Sequence, residues 1–298
     1  MIERTPILDF LTHALLVVSL VALLMPMWIV FVAATHDFHT VNQVPMPLLP
    51  GSHFLENLAA AWERGNFGRV MANSLIVALG VTGGKIVVAA LSAFSIVYFR
   101  YRLRMVMFWL IFVTLMLPLE VRIVPTYAVA ADALRPFQGL LDLTGIAIDL
   151  PEWNLLNSYS GLILPLVATA TGTFLYRQFF LTVPDELTEA AKMDGAGPIR
   201  FFLEVLMPLS KTNMAALATI MFVWSWNQYL WPLLVVTDHA NYATATMQLQ
   251  KIVPGPLFGE PPVWNVAMAA NLIVLFPPVL VTILLQRWFV RGLIQTDK

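Results

Sequence analysis

Ala14-Leu-Leu-Val-Val-Ser-Leu-Val-Ala-Leu-Leu-Met-Pro-Met-Trp-Ile-Val-Phe-Val-Ala-Ala34 runs for 21 residues without one Asp, Glu, Lys or Arg. A helix of about 20 mostly apolar residues crosses the roughly 30 Å hydrocarbon core of a bilayer, so this stretch is long enough to span. It reads as a retained span rather than a cleaved leader. Its apolar part is too long for a leader's core, and Pro26-Met27-Trp28 offers no small-residue cleavage site. Five more stretches qualify: Asn73–Phe99, Met105–Tyr127, Tyr159–Leu181, Asn213–Val236 and Val266–Gln286. They are continuously apolar rather than alternating, and far longer than a barrel strand of roughly ten residues. The expected fold is an all-α membrane protein of six transmembrane helices, one transmembrane domain covering residues 1–298.

Composition agrees. Of 298 residues, 59% are hydrophobic and 12% charged, against about 45–50% and 25% in soluble domains, and the mean hydropathy is +0.76. With 17 basic and 18 acidic residues there is no basic field to draw a nucleic acid. Cysteine is absent, which excludes disulfides, thiolate zinc sites and thiol nucleophiles. The five His show no H-x-x-H or H-E-x-x-H spacing, so no metal site is expected.

Basic residues set the orientation, because cytoplasmic connections carry the excess of Lys and Arg. With the N-terminus inside, eleven basic residues fall on inner segments and five on outer ones, with Lys85 inside a span. The Arg100-Tyr-Arg-Leu-Arg104 hairpin contributes most to that asymmetry. Both termini are therefore expected in the cytoplasm. The outer connections are longer. Phe38–Ala72, rich in Pro and Gly, reads as an irregular loop with a short helix near Leu55–Glu63, and Val129–Ser158 and Thr237–Trp264 read similarly.

One inner segment, about 182–210, has its own architecture. Pro184, Asp185 and Glu186 start a helix, with acid in the first turn where the backbone dipole favours it. Helix formers continue to Asp194, and Gly195 is a C-terminal stop. Gly197-Pro198 opens a second helix that ends near Pro208. A surface helix lying among lipid headgroups is usually basic. This one carries Asp185, Glu186, Glu189 and Asp194, which suits a protein partner better than anionic lipid.

Glu189-Ala190-Ala191, then Asp194-Gly195-Ala196, then Pro208 resembles the E-A-A-x-x-D-G-A…L-P loop of ATP-binding-cassette importer permeases. Pro184-Asp-Glu-Leu187 before it, Trp226-Asn-x-x-Leu-Trp-Pro-Leu233 after it and Gln286-Arg-x-Phe-Val-x-Gly-Leu293 near the end fit the carbohydrate-uptake type at family-like spacing. Leu117-Pro-Leu-Glu-Val-Arg-Ile123, Arg177-Gln-Phe-Phe180 and Pro208-Leu-Ser-Lys-Thr-Asn213 resemble the second permease subunits of the sn-glycerol-3-phosphate branch. Gln228, where many sugar permeases carry an acid, agrees with that branch, as does a tail lacking Gly-Ala-Val-Lys.

The resemblance implies the type I importer permease fold, with a coupling helix that engages an ATPase through Glu189, Ala190, Ala191, Asp194, Gly195 and Pro208. It implies a pore shared with a homologous second permease, two ATP-binding-cassette ATPase subunits, and a periplasmic or extracellular substrate-binding protein, all in a lipid membrane. The cargo implied is sn-glycerol-3-phosphate or a related glycerophosphodiester; a neutral sugar or oligosaccharide is the alternative. The chain would be non-catalytic and without cofactor. It has no G-x-x-x-x-G-K-[ST] phosphate loop, since Gly83-Gly84-Lys85 lacks the first glycine. A secondary carrier would call for internal repeats and paired intramembrane acids. An intramembrane enzyme would call for a Ser/His/Asp or H-E-x-x-H set. Neither pattern occurs.

Lys85 near mid-span, and Glu120 and Arg122 near the outer end of the third span, are candidates for the substrate pathway. A phosphate crossing a low-dielectric pore needs cationic stabilisation, which Arg gives well. The other reading is a structural ion pair of Glu120 with Arg122 or Lys85. Asn227 and Gln228 either line the pathway or bond between helices. Trp224, Trp226, Tyr229 and Trp231 either stack on substrate or anchor at the interface.

Overall fold

A computed structural model describes residues 6–114, 117–145, 148–168, 170–253 and 262–294. Every regular element among them is helical. By Cα proximity the chain forms two compact units, 1–68 with 248–277, and 69–247 with 278–298.

In the first unit, Pro6–Thr35 carries its apolar side chains outward: Ile7, Leu15, Val21 and Leu23 are all more than half exposed. Such a surface is stable only against hydrocarbon or another apolar surface. Only its end is enclosed, where Val32, Ala33 and Ala34 are buried. There Asn57, from helix Phe54–Arg64, donates through Nδ2 to the carbonyls of Ala34 (2.9 Å) and His36 (2.7 Å). Its Oδ1 accepts from Asn265 Nδ2 at 2.7 Å, so one buried amide serves carbonyls that the helix end leaves open.

The second unit holds two apolar clusters. One gathers Phe94, Tyr176, Phe180, Phe201, Phe202 and Leu206; the other gathers Val77, Val81, Leu162, Leu166, Trp231 and Val235. Two glycines set the approach of Phe67–Tyr98 to Tyr159–Val167. A Cβ at Gly80 or Gly84 would come within 2.6 Å of the Ile163 or Val167 side chain, respectively. The fully buried Trp231 donates its indole N–H to the Gly161 carbonyl at 3.2 Å.

Among the described residues, three helices are long and apolar enough to cross a membrane unbroken: Ile7–Thr35, Phe67–Tyr98 and Trp264–Trp288. Two bent pairs, Tyr159–Val167 with Ala170–Phe180 and Pro198–Leu209 with Lys211–Trp226, raise the number to five if each pair is one span. Among the described residues, three of the six expected apolar stretches are interrupted rather than single helices. The third, Met105–Tyr127, is divided into Arg104–Val113 and Leu119–Ala131, the latter capped by an extended Pro118. The fourth breaks where Ala168 leaves the helical region (φ −67°, ψ 127°), after Pro165. The fifth stops at Trp226 and restarts at Leu230–Val235. Proline lacks the N–H and crowds the preceding turn, so a continuous apolar run need not be a continuous helix.

The connections expected at the outer face are more ordered than their composition suggests. The helix expected near Leu55–Glu63 is Phe54–Arg64, and Arg135–Thr144 and Ala245–Ile252 are further helices within stretches expected to be irregular.

Candidate functional site

The segment singled out by its Pro and Gly punctuation folds as helix Asp185–Met193, a glycine turn and helix Pro198–Phe201. Pro184 begins it in an extended conformation (φ −60°, ψ 139°), with Asp185 and Glu186 in the first turn. It closes in a Schellman turn. Gly195 N–H donates to Lys192 O (3.0 Å) and Ala196 N–H to Ala191 O (2.8 Å). That turn places Gly195 at φ +72°, where a Cβ would meet no other atom within 4 Å, so the demand for glycine is purely conformational.

The helix is held along one side. Ala191 packs against the Phe94–Phe201–Phe202 cluster, and a cavity of ≈ 160 Å³ lies beside Thr188, Ala191, Tyr98 and Phe201. Glu189, Ala190 and Asp194 are exposed, and Met193 is 83% exposed. The free side is thus acidic with an apolar thioether at its end. The second helix continues through a π-helical turn, Phe202–Leu206, in which Met207 N–H reaches back to Phe202 O. Pro208, exposed, follows in Met207–Leu209. At Ser210 the chain bends by 75° into Lys211–Trp226. The π-turn had no sequence signal beyond Pro208, whose ring conflicts with a carbonyl four residues back.

Lys85, on Phe67–Tyr98, is 5% exposed. Its ammonium lies 3.5 Å from the centroid of the Trp224 ring. Arg122 is near enough to repel it, and neither cation forms an ion pair among the described residues. Arg122 is half-buried on Leu119–Ala131, and its Nε has no hydrogen-bond partner among the described residues. Glu120 is exposed and forms no ion pair among the described residues, so the alternative pairing with Arg122 or Lys85 does not form there. A charge left in hydrocarbon costs about 2.5–3.5 kcal/mol on insertion scales. A desolvated cation–π contact returns about 2 kcal/mol. The ring therefore offsets much of the cost of Lys85 without supplying a hydrogen-bond acceptor.

Asn227 caps Lys211–Trp226 and is exposed, whereas Gln228 is half-buried and accepts from the Thr246 hydroxyl through its carbonyl at 2.8 Å. Both line a cavity of ≈ 540 Å³ with Thr219, Trp224, Thr282 and Gln286. The structure thus brings Lys85, Asn227 and Gln228 to one locality through Trp224, and the Arg122 charge acts on Lys85. The Lys85–Trp224 pairing was beyond sequence reasoning, as was Arg177, whose guanidinium lies 4.4 Å from the Phe108 ring centroid with Nε unpaired among the described residues. No local spacing signals a contact between helices so far apart in the chain. Among the described residues no cluster of His, Asp and Glu has the arrangement of a metal site.

The family model for the binding-protein-dependent transport system inner membrane component matches residues 85–295. The sn-glycerol-3-phosphate transport system permease protein UgpE of Yersinia enterocolitica serotype O:8 is 47% identical over 304 residues, covering all of both chains. Proteins of the same name from Pectobacterium atrosepticum and Escherichia coli O157:H7 are 48% and 46% identical, again over the full length of both chains. Among solved structures, a bacterial ABC transporter involved in the import of the acidic polysaccharide alginate superposes with a TM-score of 0.77 at 18% identity. That match covers 97% of this chain and 100% of the other, and it carries the all-α, multi-pass membrane permease fold. With the helical punctuation, the glycine turn and the family match in agreement, the chain belongs to the inner-membrane components of binding-protein-dependent transport systems, as an ABC importer permease of the carbohydrate-uptake type.

Proposed function

We propose that this chain is one of two homologous permease subunits that together carry sn-glycerol-3-phosphate, or a related glycerophosphodiester, inward across the membrane. The observation that carries the reading is identity of 46–48% along the whole chain to permeases of sn-glycerol-3-phosphate transport systems. Residues 1–298 act as one transmembrane domain crossing six times, the broken third span included, with both termini in the cytoplasm.

Two ATP-binding-cassette subunits supply the energy. The free acidic side of Asp185–Met193 seats in a groove on one of them, Glu189 meeting a basic residue there, while Ala190, Ala191, Asp194, Gly195 and Pro208 set its shape and angle. A soluble binding protein delivers the cargo at the outer face. ATP binding draws the coupling helices of the two permeases together and opens the pore outward; hydrolysis resets it. Lys85 and Arg122 lower the barrier for the phosphate anion, and Asn227 and Gln228 offer amides to its hydroxyls, with Glu120 at the outer approach.

A neutral sugar or oligosaccharide is the second reading, favoured by the amide- and indole-lined cavity at Trp224, Asn227 and Gln228. Radiolabelled sn-glycerol-3-phosphate uptake by the whole complex, competed with glycerophosphodiesters, inorganic phosphate and neutral oligosaccharides, separates the two. Competition by the phosphate esters alone is the expected result. Competition by a neutral sugar alone would overturn the assignment.

A further inference from the structure

Lys85 has an unusual set of contacts for a buried cation. The Trp224 ring receives its ammonium at 3.5 Å, Arg122 repels it, and no carboxylate pairs with it among the described residues. An ammonium has three N–H donors, and a ring face answers its charge without offering a lone pair. An oxyanion is the stronger partner, through short charge-assisted hydrogen bonds. The buried Arg122 Nε, without a partner among the described residues, points to the same missing chemistry.

Trp224 is also well placed to transmit a change. It lies near the end of Lys211–Trp226, whose other end is the 75° bend that leads into Pro198–Leu209 and the coupling segment. It lines the ≈ 540 Å³ cavity, so space exists beside the ring. We infer that Trp224 is a positioning residue: it holds the Lys85 ammonium against helix Lys211–Trp226 while the pathway is empty, and a phosphate anion reaching Lys85 and Arg122 draws the ammonium off the ring and frees that helix. This rests on the anion reading given above. The ring stands in for the cargo, and its replacement by cargo is what the ATPase end senses.

The test is ATP hydrolysis by the complete complex in nanodiscs, measured without binding protein or cargo. Trp224→Leu is expected to raise that idle rate about thirty-fold, the equivalent of a desolvated cation–π contact. Trp224→Phe, which keeps a weaker ring, should raise it less. Lys85→Met should raise it similarly, and adding Trp224→Leu to Lys85→Met should raise it no further, because both remove one contact. Wild-type idle rates in Trp224→Leu and Trp224→Phe, or multiplying effects in the double variant, would overturn the inference. If the Leu variant does not assemble with its ATPase subunits, the Phe variant decides: an idle rate two- to three-fold above wild type supports the restraint, and an unchanged one overturns it. Uptake of radiolabelled sn-glycerol-3-phosphate by Arg122→Gln tests the anion reading separately. Wild-type uptake there would overturn that reading while the hydrolysis cycle still reports on the restraint.

Discussion

Asn157 grips Thr237 with both ends of its side-chain amide. Its Oδ1 accepts the Thr237 backbone N–H at 2.7 Å, and its Nδ2 donates to the Thr237 hydroxyl at 2.8 Å. The same oxygen accepts from Asp238 N–H at 2.8 Å, and Asn157 itself sits at φ +53°. Asparagine tolerates that conformation better than most residues, so one residue meets both the backbone and the bonding demand. Asn157→Ala is expected to destabilise the protein by about 2–3 kcal/mol, through strain and orphaned N–H groups. Asn157→Gly should cost less, because it relieves the strain and loses only the bonds. Thermal melts of the detergent-solubilised protein check the order; equal losses for Ala and Gly would show that the positive φ carries no cost.

The Gly195 turn makes a second, graded prediction. Because a Cβ at Gly195 meets nothing, Gly195→Ala adds only the left-handed penalty of about 1 kcal/mol and should keep most uptake. Gly195→Val combined with Glu189→Lys distorts the turn and reverses the exposed charge. That pair should separate ATP hydrolysis from uptake in a protein still inserted in the membrane. Wild-type uptake by the double variant would remove the segment from the coupling path.

Lys85→Met and Arg122→Gln should each lower sn-glycerol-3-phosphate uptake about ten-fold, the scale of one lost charge-assisted contact, while the complex still assembles and docks its binding protein. If both variants transport at the wild-type rate, the cations are structural.

Orientation is open to reporter fusions. Fusions after Leu103 and Gly195 should report cytoplasm, and fusions after His53 and Asp142 the outer compartment. One reversed neighbouring pair would show that the broken third or fourth span re-enters rather than crosses.

The sequence was most legible where a single residue type acts locally. Pro184, Gly195 and Gly197-Pro198 mark the ends of Asp185–Met193 and the start of Pro198–Phe201 because each acts on its own φ or its own N–H. Unbroken apolar runs gave Phe67–Tyr98 and Trp264–Ile294 because hydrocarbon solvation is additive along a helix. Mean hydropathy is indifferent to whether successive turns are hydrogen-bonded, so the breaks at Pro118 and Ala168 are legible only through the proline rings at 118 and 165. Lys85 was conspicuous as a charge in an apolar run, but its partner ring was not. A cation–π contact between distant helices depends on tertiary packing, which no local pattern encodes.

The π-turn at Phe202–Leu206 has a consequence for how this chain tolerates change in length. A π-turn amounts to one residue added to an α-helix, and each α-helical residue rotates the chain by about 100°. Deleting a single residue there would restore ordinary helical hydrogen bonding and, on local criteria, improve the segment. It would also swing Asp185–Met193 about a third of a turn around the axis of Pro198–Leu209, carrying Glu189 away from the direction it now faces. The aim of helix Asp185–Met193 is therefore written in residue count, and a frame-preserving deletion at this turn should be more damaging than most substitutions along it.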